Sequence, residues 1–573
     1  MGRANVIRLI ARATVLVPGL VALSHTANAQ PFQWAAVYSE ASPTMRGIAV
    51  GPDGSIYATG FFYHDMDMDP GPGEAMFTSY GFEDAFLTKF TPDGAWEWTK
   101  QVGGPSRDGS WDVAVDAQGN VFWGGWFSGT ADMDAGANVL SMTAAGTNDF
   151  SDAFVVKLSS AGELIWCRAA TGVHQSFVRK LAVDHHGDVW VVGDFNAETD
   201  FDPSPSTYVL DSPGSGRPFL WKLTADGDFA YAGMYTSGGY STVDAPVFDT
   251  DNNVYISQSF TFTLDGDPGP AVQNLSAEGV YANTLLTKLA PNGELLWNRH
   301  VYAEGYLKAI APTGMVIDLD GNIVVRCSFD GPVDMDPGPG ELNLVPVNGI
   351  DQCLWMLSSD GSVLSAEHTA GGHNLDLDPS GRFVASGEFQ EEYDADPGPG
   401  TVIFTPASWR TDFFITAMDP SGAHIWSGAI GADMDDVAFD QDIDADGNII
   451  IMGYVQSEVD MDPGAGSAMF QCMTPIGDYS WFVLKLGALS TSVDEPLQPQ
   501  GTVLPTVVDN ILVITTDHTG STAVVRDLRG ATVASKRLTT QRTELDLSHL
   551  PTGPYLIDVL SDEGRTATRI IKL

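Results

Sequence analysis

The chain has 573 residues, 43% of them hydrophobic and 10% aromatic, and a formal net charge of -46. That apolar content excludes disorder despite the charge. Between residues 30 and 500 there are 17 Lys and Arg against 66 Asp and Glu, a field that excludes nucleic acid and anionic membrane surfaces and favours metal ions or a neutral or basic partner.

The N-terminus carries Arg3, Arg8 and Arg12, the apolar run Ala13 to Leu23, and Ala27-Asn28-Ala29 before Gln30. A basic start, a short apolar stretch and a small-x-small site predict a secretory signal peptide over residues 1–29. The apolar run is too short to span a bilayer, and no later stretch qualifies as a transmembrane segment. The mature chain is therefore expected to be exported and soluble from Gln30. Export permits disulfides among Cys167, Cys327, Cys353 and Cys472. Cys327 and Cys353 fall on expected neighbouring strands, and a bond between them or four buried thiols are both open readings. No Cys/His spacing suits structural zinc.

From Asp67 one word is written seven times: DMDPGPG at Asp67, DMDAGA at Asp132, DFDPSP at Asp200, DGDPGP at Asp265, DMDPGPG at Asp334, DADPGPG at Asp394 and DMDPGAG at Asp460. A period of 60 to 69 residues marks a repeat architecture. Upstream of each copy lie two β-branched or aromatic runs around a D-x-x-G type turn, as in DVAVDAQGNVFWGGWF from Asp112, which reads as a hairpin. Downstream lie a third strand, such as DAFVVKL at Asp152, and a fourth that carries Trp98, Trp166, Trp297 or Trp426 in four copies. The Trp row is read as packing between repeats. Gly60, Gly125, Gly193, Gly387 and Gly453, near the ends of second strands, are read as close-packing positions where repeats converge on an axis.

After the seventh third strand, ending at Leu486, no fourth follows, yet one precedes the first hairpin around Trp34. Six whole repeats and one shared between the ends predict an all-β fold, a seven-bladed β-propeller over residues 30–486 closed by its N-terminal strand. An open solenoid gives no reason for this split. Residues 30–486 resemble the bacterial SBBP-type β-propeller repeat family on their D-x-F-x-x-K-L, G-x-x-x-W and D-x-x-G-N-x-Y elements. The resemblance implies a fold and carries no shared activity.

Residues 487–502, rich in Ser, Thr, Pro and Gln, read as a linker. Residues 503–573 have balanced charge and alternating apolar positions, which predicts a small Ig-like β-sandwich. This tail resembles the type A C-terminal sorting domain of the type IX secretion system. The resemblance rests on Leu504-Pro505, Asn510, the D-L-x-x-L-P-x-G-x-Y element at Asp546, Leu547, Leu550, Pro551, Gly553 and Tyr555, and Ile570 to Leu573. VLPTVVDN departs from the Asn-Pro pair more usual at its front. The resemblance implies handling by the type IX machinery, passage through the outer membrane, and then removal of the tail with release or attachment at the cell surface.

The candidate ligating residues are the seven Asp pairs, Asp67/Asp69, Asp132/Asp134, Asp200/Asp202, Asp265/Asp267, Asp334/Asp336, Asp394/Asp396 and Asp460/Asp462. In an extended segment both carboxylates of a pair share one side. Hard oxygen ligands in a Gly-rich loop suit Ca²⁺, while an Asp that caps its own turn explains the same pattern without an ion. Asp442, Asp444, Asp446 and Gly447 open like a calcium loop, but Gly453 stands where the twelfth-position Glu belongs. His185 and His186 sit in a hairpin turn, and no GxSxG, HExxH or P-loop is present. No catalytic residue is assigned. The expected function is an exported, non-enzymatic propeller presenting an acidic loop face to a glycan or protein ligand. A secreted polysaccharide-acting enzyme with an axial site and a structural surface protein are the alternatives.

Overall fold

The computed structural model describes residues 31–38 and 43–489, apart from 137, 148–149, 213–215, 278–280, 306, 348, 397, 399, 465 and 471–478, together with the strands between 507 and 572 and part of their turns. The expected signal peptide and most of the expected linker lie outside the described residues. All regular structure among the described residues is β, and none of them form a helix long and apolar enough to cross a membrane.

Seven antiparallel sheets follow one another with the strand order the repeats predict. Blade 1 is Thr44–Val50, Ile56–Asp67, Met76–Phe90 and Trp96–Val102, and blade 2 is Asp108–Val115, Val121–Ser128, Ser151–Leu158 and Leu164–Gly172. Blades 3 to 6 repeat the pattern with second and third strands at Val189–Phe195 and Arg217–Leu223, Val254–Phe260 and Asn283–Leu289, Ile323–Phe329 and Asp351–Leu357, and Phe383–Phe389 and Asp412–Met418. Blade 7 is Val437–Ile443, Ile449–Val455 and Ser480–Leu486, with Phe32–Tyr38 as its outermost strand, Ala36 opposite Val483. The propeller thus has seven blades and is closed as expected. In blade 4 the innermost strand is split into Ser241–Val243 and Val247–Phe248, with the ring of Pro246 between them.

Second and third strands are apolar at nearly every position because both of their faces are covered. Ile449–Val455 and Ser480–Leu486 are almost wholly buried. Each pair of successive blades shares one core. Trp123, Phe154 and Leu87 fill that of blades 1 and 2, Trp221, Phe219 and Phe122 that of blades 2 and 3, and Trp355, Cys327 and Tyr255 that of blades 4 and 5. The core between blades 7 and 1 holds Trp481, Ile450, Tyr38 and Phe62, so the ring closes through packing as well as through pairing. The Trp row lies in these interblade cores, as expected, with Trp166 6% and Trp426 2% exposed.

The D-x-F-x-x-K-L element explains itself here. The Lys of the third strand is buried and reaches the third-to-fourth turn of the next blade. Lys157 Nζ donates to the Ala225 carbonyl at 3.0 Å and Lys288 to Ser359 at 3.1 Å, while Lys485 donates to Pro92 at 3.2 Å, from blade 7 to blade 1. The Asp of the D-x-x-G turn neutralises four of these ammoniums, with Lys222 3.3 Å from Asp184 and 3.0 Å from the neighbouring Asp188, and Lys485 2.9 Å from Asp444, while Lys89 pairs with Glu97 at 2.8 Å. The D-x-D-x-D-G run at Asp442 is therefore a hairpin turn whose Asp444 serves a lysine.

The close-packing glycines need a different cause from the one expected. A Cβ on Gly60, Gly125, Gly193 or Gly453 would strike the carbonyl of Thr44, Gly109, Phe177 or Val437 on the first strand of its own blade. A β-bulge follows at once, between Met45 and Gly47, for example. The crowding is within a blade, where the bulge presses the first strand onto the second. Cys327 and Cys353 pair directly across two strands, as expected, and both are buried free thiols, as is Cys167. Cys472 lies outside the described residues.

In the C-terminal region a five-stranded sheet contains Val507–Val508, Gly564–Lys572, Gly553–Ser561, Thr522–Arg526 and Thr532–Arg537, and Ile511–Thr515 pairs with Arg542–Asp546. Leu545, Leu547, Leu550 and Tyr555 share its small core. The L-P-x-G-x-Y element is a local lock in which the Tyr555 hydroxyl donates to the Pro551 carbonyl at 2.9 Å.

Candidate functional site

Each D-x-D word forms the tip of a small hairpin inserted between the second and third strands of its blade. The pairs Thr130–Asp132 with Ser141–Thr143, Thr263–Asp265 with Asn274–Ser276 and Val459–Asp460 with Met469–Phe470 are examples. In blade 1 the two long strands run on into the hairpin, Asp67 opposite Met76.

The first Asp accepts two backbone N–H groups with one oxygen. Asp67 Oδ1 takes those of Asp69 at 3.1 Å and Ala75 at 2.8 Å, Asp334 Oδ1 those of Asp336 at 3.0 Å and Leu342 at 2.8 Å, and Asp460 Oδ1 those of Asp462 at 3.1 Å and Ala468 at 2.7 Å. Asp132, Asp200, Asp265 and Asp394 repeat the arrangement with Leu140, Tyr208, Gln273 and Val402. The second Asp accepts from the residue two positions on, Asp69 Oδ1 from Gly71 and Asp336 Oδ1 from Gly338, at 2.8 and 2.7 Å. Asp134, Asp202, Asp267, Asp396 and Asp462 do the same. Charged acceptors on backbone donors are among the stronger hydrogen bonds.

The last Gly of the word follows from the second carboxylate. A Cβ on Gly73, Gly340, Gly400 or Gly466 would land on the Oδ2 of Asp69, Asp336, Asp396 or Asp462. In these four loops the chain is wound so tightly around the carboxylate that only glycine fits, while Asn138, Ser206 and Ala271 stand at that place in the other three copies.

The residues on either side of the first Asp point the other way, into the core between their own blade and the preceding one. Met68, Met133, Phe201, Met335 and Met461 are fully buried there. In blade 4, where Gly266 stands between the two Asp, Leu264 takes that role. The hairpins also touch the outermost strand of the preceding blade. Thr199–Asp200 pairs with Leu164–Gly172, Gly103 bridges to Asp132 and Ala303 to Val333, and the Tyr38 hydroxyl donates to the Met68 carbonyl at 3.2 Å. Each hairpin is thus a clasp from one blade to the one before it. At about 1.5–3 kcal/mol for a fully buried Met, Phe or Leu, six of the seven clasps are a substantial part of what holds the ring, and in blade 6 the smaller Ala395 takes the place.

The fourteen carboxylates stay in seven separate pairs. Among the described residues no three His, Cys, Asp or Glu side chains form a group that could hold a metal ion. Near the clasps stand carboxylates of another kind. Asp108 accepts from Gly104 at 2.7 Å and Ser128 at 3.0 Å, and Asp436 from Ala432 at 2.7 Å. Burial pushes both up to about 7, against the pull of those amides. His185 and His186 stay in the blade 3 hairpin turn, and the His186 ring meets Asn252 of blade 4 at 2.8 Å.

Sequence reasoning missed the axis. First strands face it with their unpaired edges, and there Asp112, Asp244, Asp376 and Asp440 surround Lys180, with Asp442 beside Asp376 and Asp440. Lys180 Nζ lies 3.7 Å from Asp112 and 3.5 Å from Asp440. Burial opposes the Lys180 charge, and the neighbouring carboxylates override it and raise its pKa. Burial raises Asp112 to about 6 and Asp442 to about 7. These carboxylates cap edge amides of the next blade: Asp112 accepts from Leu181 at 2.8 Å, Asp440 from Ile48 at 3.2 Å and Asp442 from Val50 at 2.7 Å. The signal was available, since the aligned positions are Gly47 and Gly314 in other repeats. At the bulges the side chains ring the axial mouth. The Arg46 guanidinium lies over Trp111 at 4.6 Å and Phe439 at 5.8 Å, and Arg179 lies over Trp111 at 5.4 Å and Phe177 at 4.8 Å.

Residues 502–573 match the secretion system C-terminal sorting domain family. This tail directs the chain through the outer membrane by type IX secretion, to the cell surface or the extracellular space. A curated relative, an uncharacterized WD repeat-containing protein of Acanthamoeba polyphaga mimivirus, is 20% identical over 456 residues, 64% of this chain and 32% of that protein. The chain thus spans about a third of that relative's length. Among solved structures, the chain is similar to PorZ, a surface component of the type IX secretion system of Porphyromonas gingivalis, at a TM-score of 0.30 and 8% identity, over 93% of this chain and 82% of PorZ. It is also similar to a puromycin hydrolase at a TM-score of 0.37 and 11% identity, over 83% of this chain and 59% of that one. A gluconolactonase of Xanthomonas campestris is similar at a TM-score of 0.26 and 11% identity, over 80% of this chain and 91% of that one.

Proposed function

We propose that the chain is an exported, non-enzymatic propeller of SBBP-type repeats that presents an acidic loop face for binding at the cell surface or in the medium. In this reading residues 1–29 are removed as a signal peptide, and residues 503–573 fold as an Ig-like sandwich that the type IX machinery recognises. The observation that carries it is the uniformity of the hairpins. All seven leave their blades between the second and third strands, hence from the same side of the ring, and all seven use their Asp pairs in the same way. A catalytic centre needs one blade that brings in unlike groups, whereas a repeated surface suits a ligand met at several points.

Two measurements test this. Deleting residues 503–573 should leave the protein in the periplasm, and normal export after that deletion refutes the role given to the tail. A screen of the full chain against glycans and extracellular matrix proteins should find a ligand without turnover. Hydrolysis of any polysaccharide in that screen moves the assignment to an enzyme.

A second reading adds Ca²⁺. Its support is the Oδ2 of the second Asp, which faces into the glycine loop wound around it. A ligand held only by the folded state raises the thermal midpoint, so equal midpoints in millimolar Ca²⁺ and in chelator would falsify it.

A further inference from the structure

On the side of the ring from which the hairpins leave, a groove of about 640 Å³ runs between blades 3 and 4 beside the axial mouth. Gln175, Phe177, Arg179, Asn196, Tyr240 and Ser241 line it. Arg179 joins it to the mouth, since its guanidinium lies over both Phe177 in the groove and Trp111 at the axis. Two features of the lining are unfinished. Ser241 is only 9% exposed, and its hydroxyl has no hydrogen-bond partner among the described residues; nor has the buried amide oxygen of Asn196. Tyr240, by contrast, stands 70% exposed at the groove edge with its ring uncovered.

The chemistry of the walls narrows the ligand. A polyanion would have to enter the field of a protein of net charge -46, which disfavours its approach over the roughly 8 Å of screening at physiological salt. A cationic peptide would meet Arg179 and Arg217 in the groove itself. A purely apolar ligand would leave the Ser241 hydroxyl and the Asn196 carbonyl buried and unpaired, at a cost of about 1–3 kcal/mol each. A neutral chain of sugars avoids all three penalties. Its hydroxyls supply both donors and acceptors, and its C–H faces lie well on Tyr240 and Phe177. The Arg179–Asp194 pair, 2.8 Å apart, offers a donor and an acceptor side by side to two adjacent hydroxyls. We propose that this groove binds an uncharged glycan segment. The inference rests on the proposed function, that this side of the propeller is its recognition face, and names the ligand class and the place.

The test is calorimetric titration of the full chain with cellohexaose, mannohexaose and galactohexaose, with hexagalacturonate and hexalysine as charged probes. At least one neutral hexasaccharide is expected to bind. Tyr240→Ala, at an exposed position, should weaken it about tenfold or more, a loss equal to 1.4 kcal/mol, with no change in thermal midpoint. Ser241→Val should weaken it as well, and Tyr240→Ala keeps the test valid if Ser241→Val fails to fold. Tight binding that Tyr240→Ala leaves unchanged puts the site elsewhere and overturns the groove, while the recognition-face reading survives. Preference for hexagalacturonate or hexalysine overturns the neutral class. No binding of any probe overturns the inference outright, and the matrix-protein screen then decides separately whether the face recognises anything.

Discussion

At the scale of the residue, the D-x-D-P-G-P-G word is a set of hydrogen-bond acceptors with a glycine bent around one of them. Asp334→Ala leaves the amides of Asp336 and Leu342 without their acceptor and should destabilise the protein by about 1–3 kcal/mol in denaturant unfolding. Gly340→Ala drives a methyl into the Asp336 carboxylate and should cost a similar amount. If the word were a solvated loop, both changes would be silent. The buried carboxylates set the pH dependence. Asp108, Asp436 and Asp442 are raised by burial to about 7 from 3.8. Between those values the unfolded chain has lost protons that the folded chain keeps, so stability falls with rising pH. The stability these groups contribute is complete below pH 4 and lost by about pH 7. Carboxylates held low, such as Asp378 and Asp444, work oppositely: their stability is fully present above about pH 4 and is lost as the pH falls below it. The thermal midpoint should therefore peak near pH 4 and decline towards pH 7, and Asp108→Asn should flatten that decline.

At the scale of the element, the hairpin clasp separates what the sequence made legible from what it hid. The seven copies and their place between second and third strands follow from period and alternation, because a repeat written seven times averages out local ambiguity. The middle residue of D-x-D was not legible as an anchor. Met68, Met133 and Met461 stand between two acids, and only the neighbouring blade, which a single repeat does not contain, makes them core. Asp112, Lys180 and Asp440 at the axis stayed hidden for the same reason, since they come from first strands of different blades. Met461→Ala should cost about 2–5 kcal/mol, whereas the same change at the 54% exposed Met469, in the same hairpin, should be within about 0.5 kcal/mol of neutral by denaturant unfolding.

At the scale of the whole molecule, stability resides in seven interblade cores and two kinds of stitch, hairpin clasps on one side and Lys-to-turn bonds on the other. A chain lacking residues 31–42 loses Tyr38 and Ala36 from the core of blades 7 and 1 and leaves Ser480–Leu486 as a bare edge. It should melt at a lower temperature and self-associate in size-exclusion chromatography, since an unpaired apolar edge recruits other strands. A melting point equal to that of the intact chain would show that blade 7 does not need its fourth strand.

The pairing of Phe32–Tyr38 with Ser480–Leu486 also orders events in time. The first strand of the ring to emerge from synthesis is the last to find its partner, after more than 400 intervening residues, and contacts at such separation form late. A chain cut anywhere before Leu486 keeps an open seam that proteases can enter. Because the sorting tail lies beyond the closing strand, every chain that carries the address has already been given the means to shut. Closure and delivery thereby vouch for the same thing, that synthesis passed the last strand of the ring.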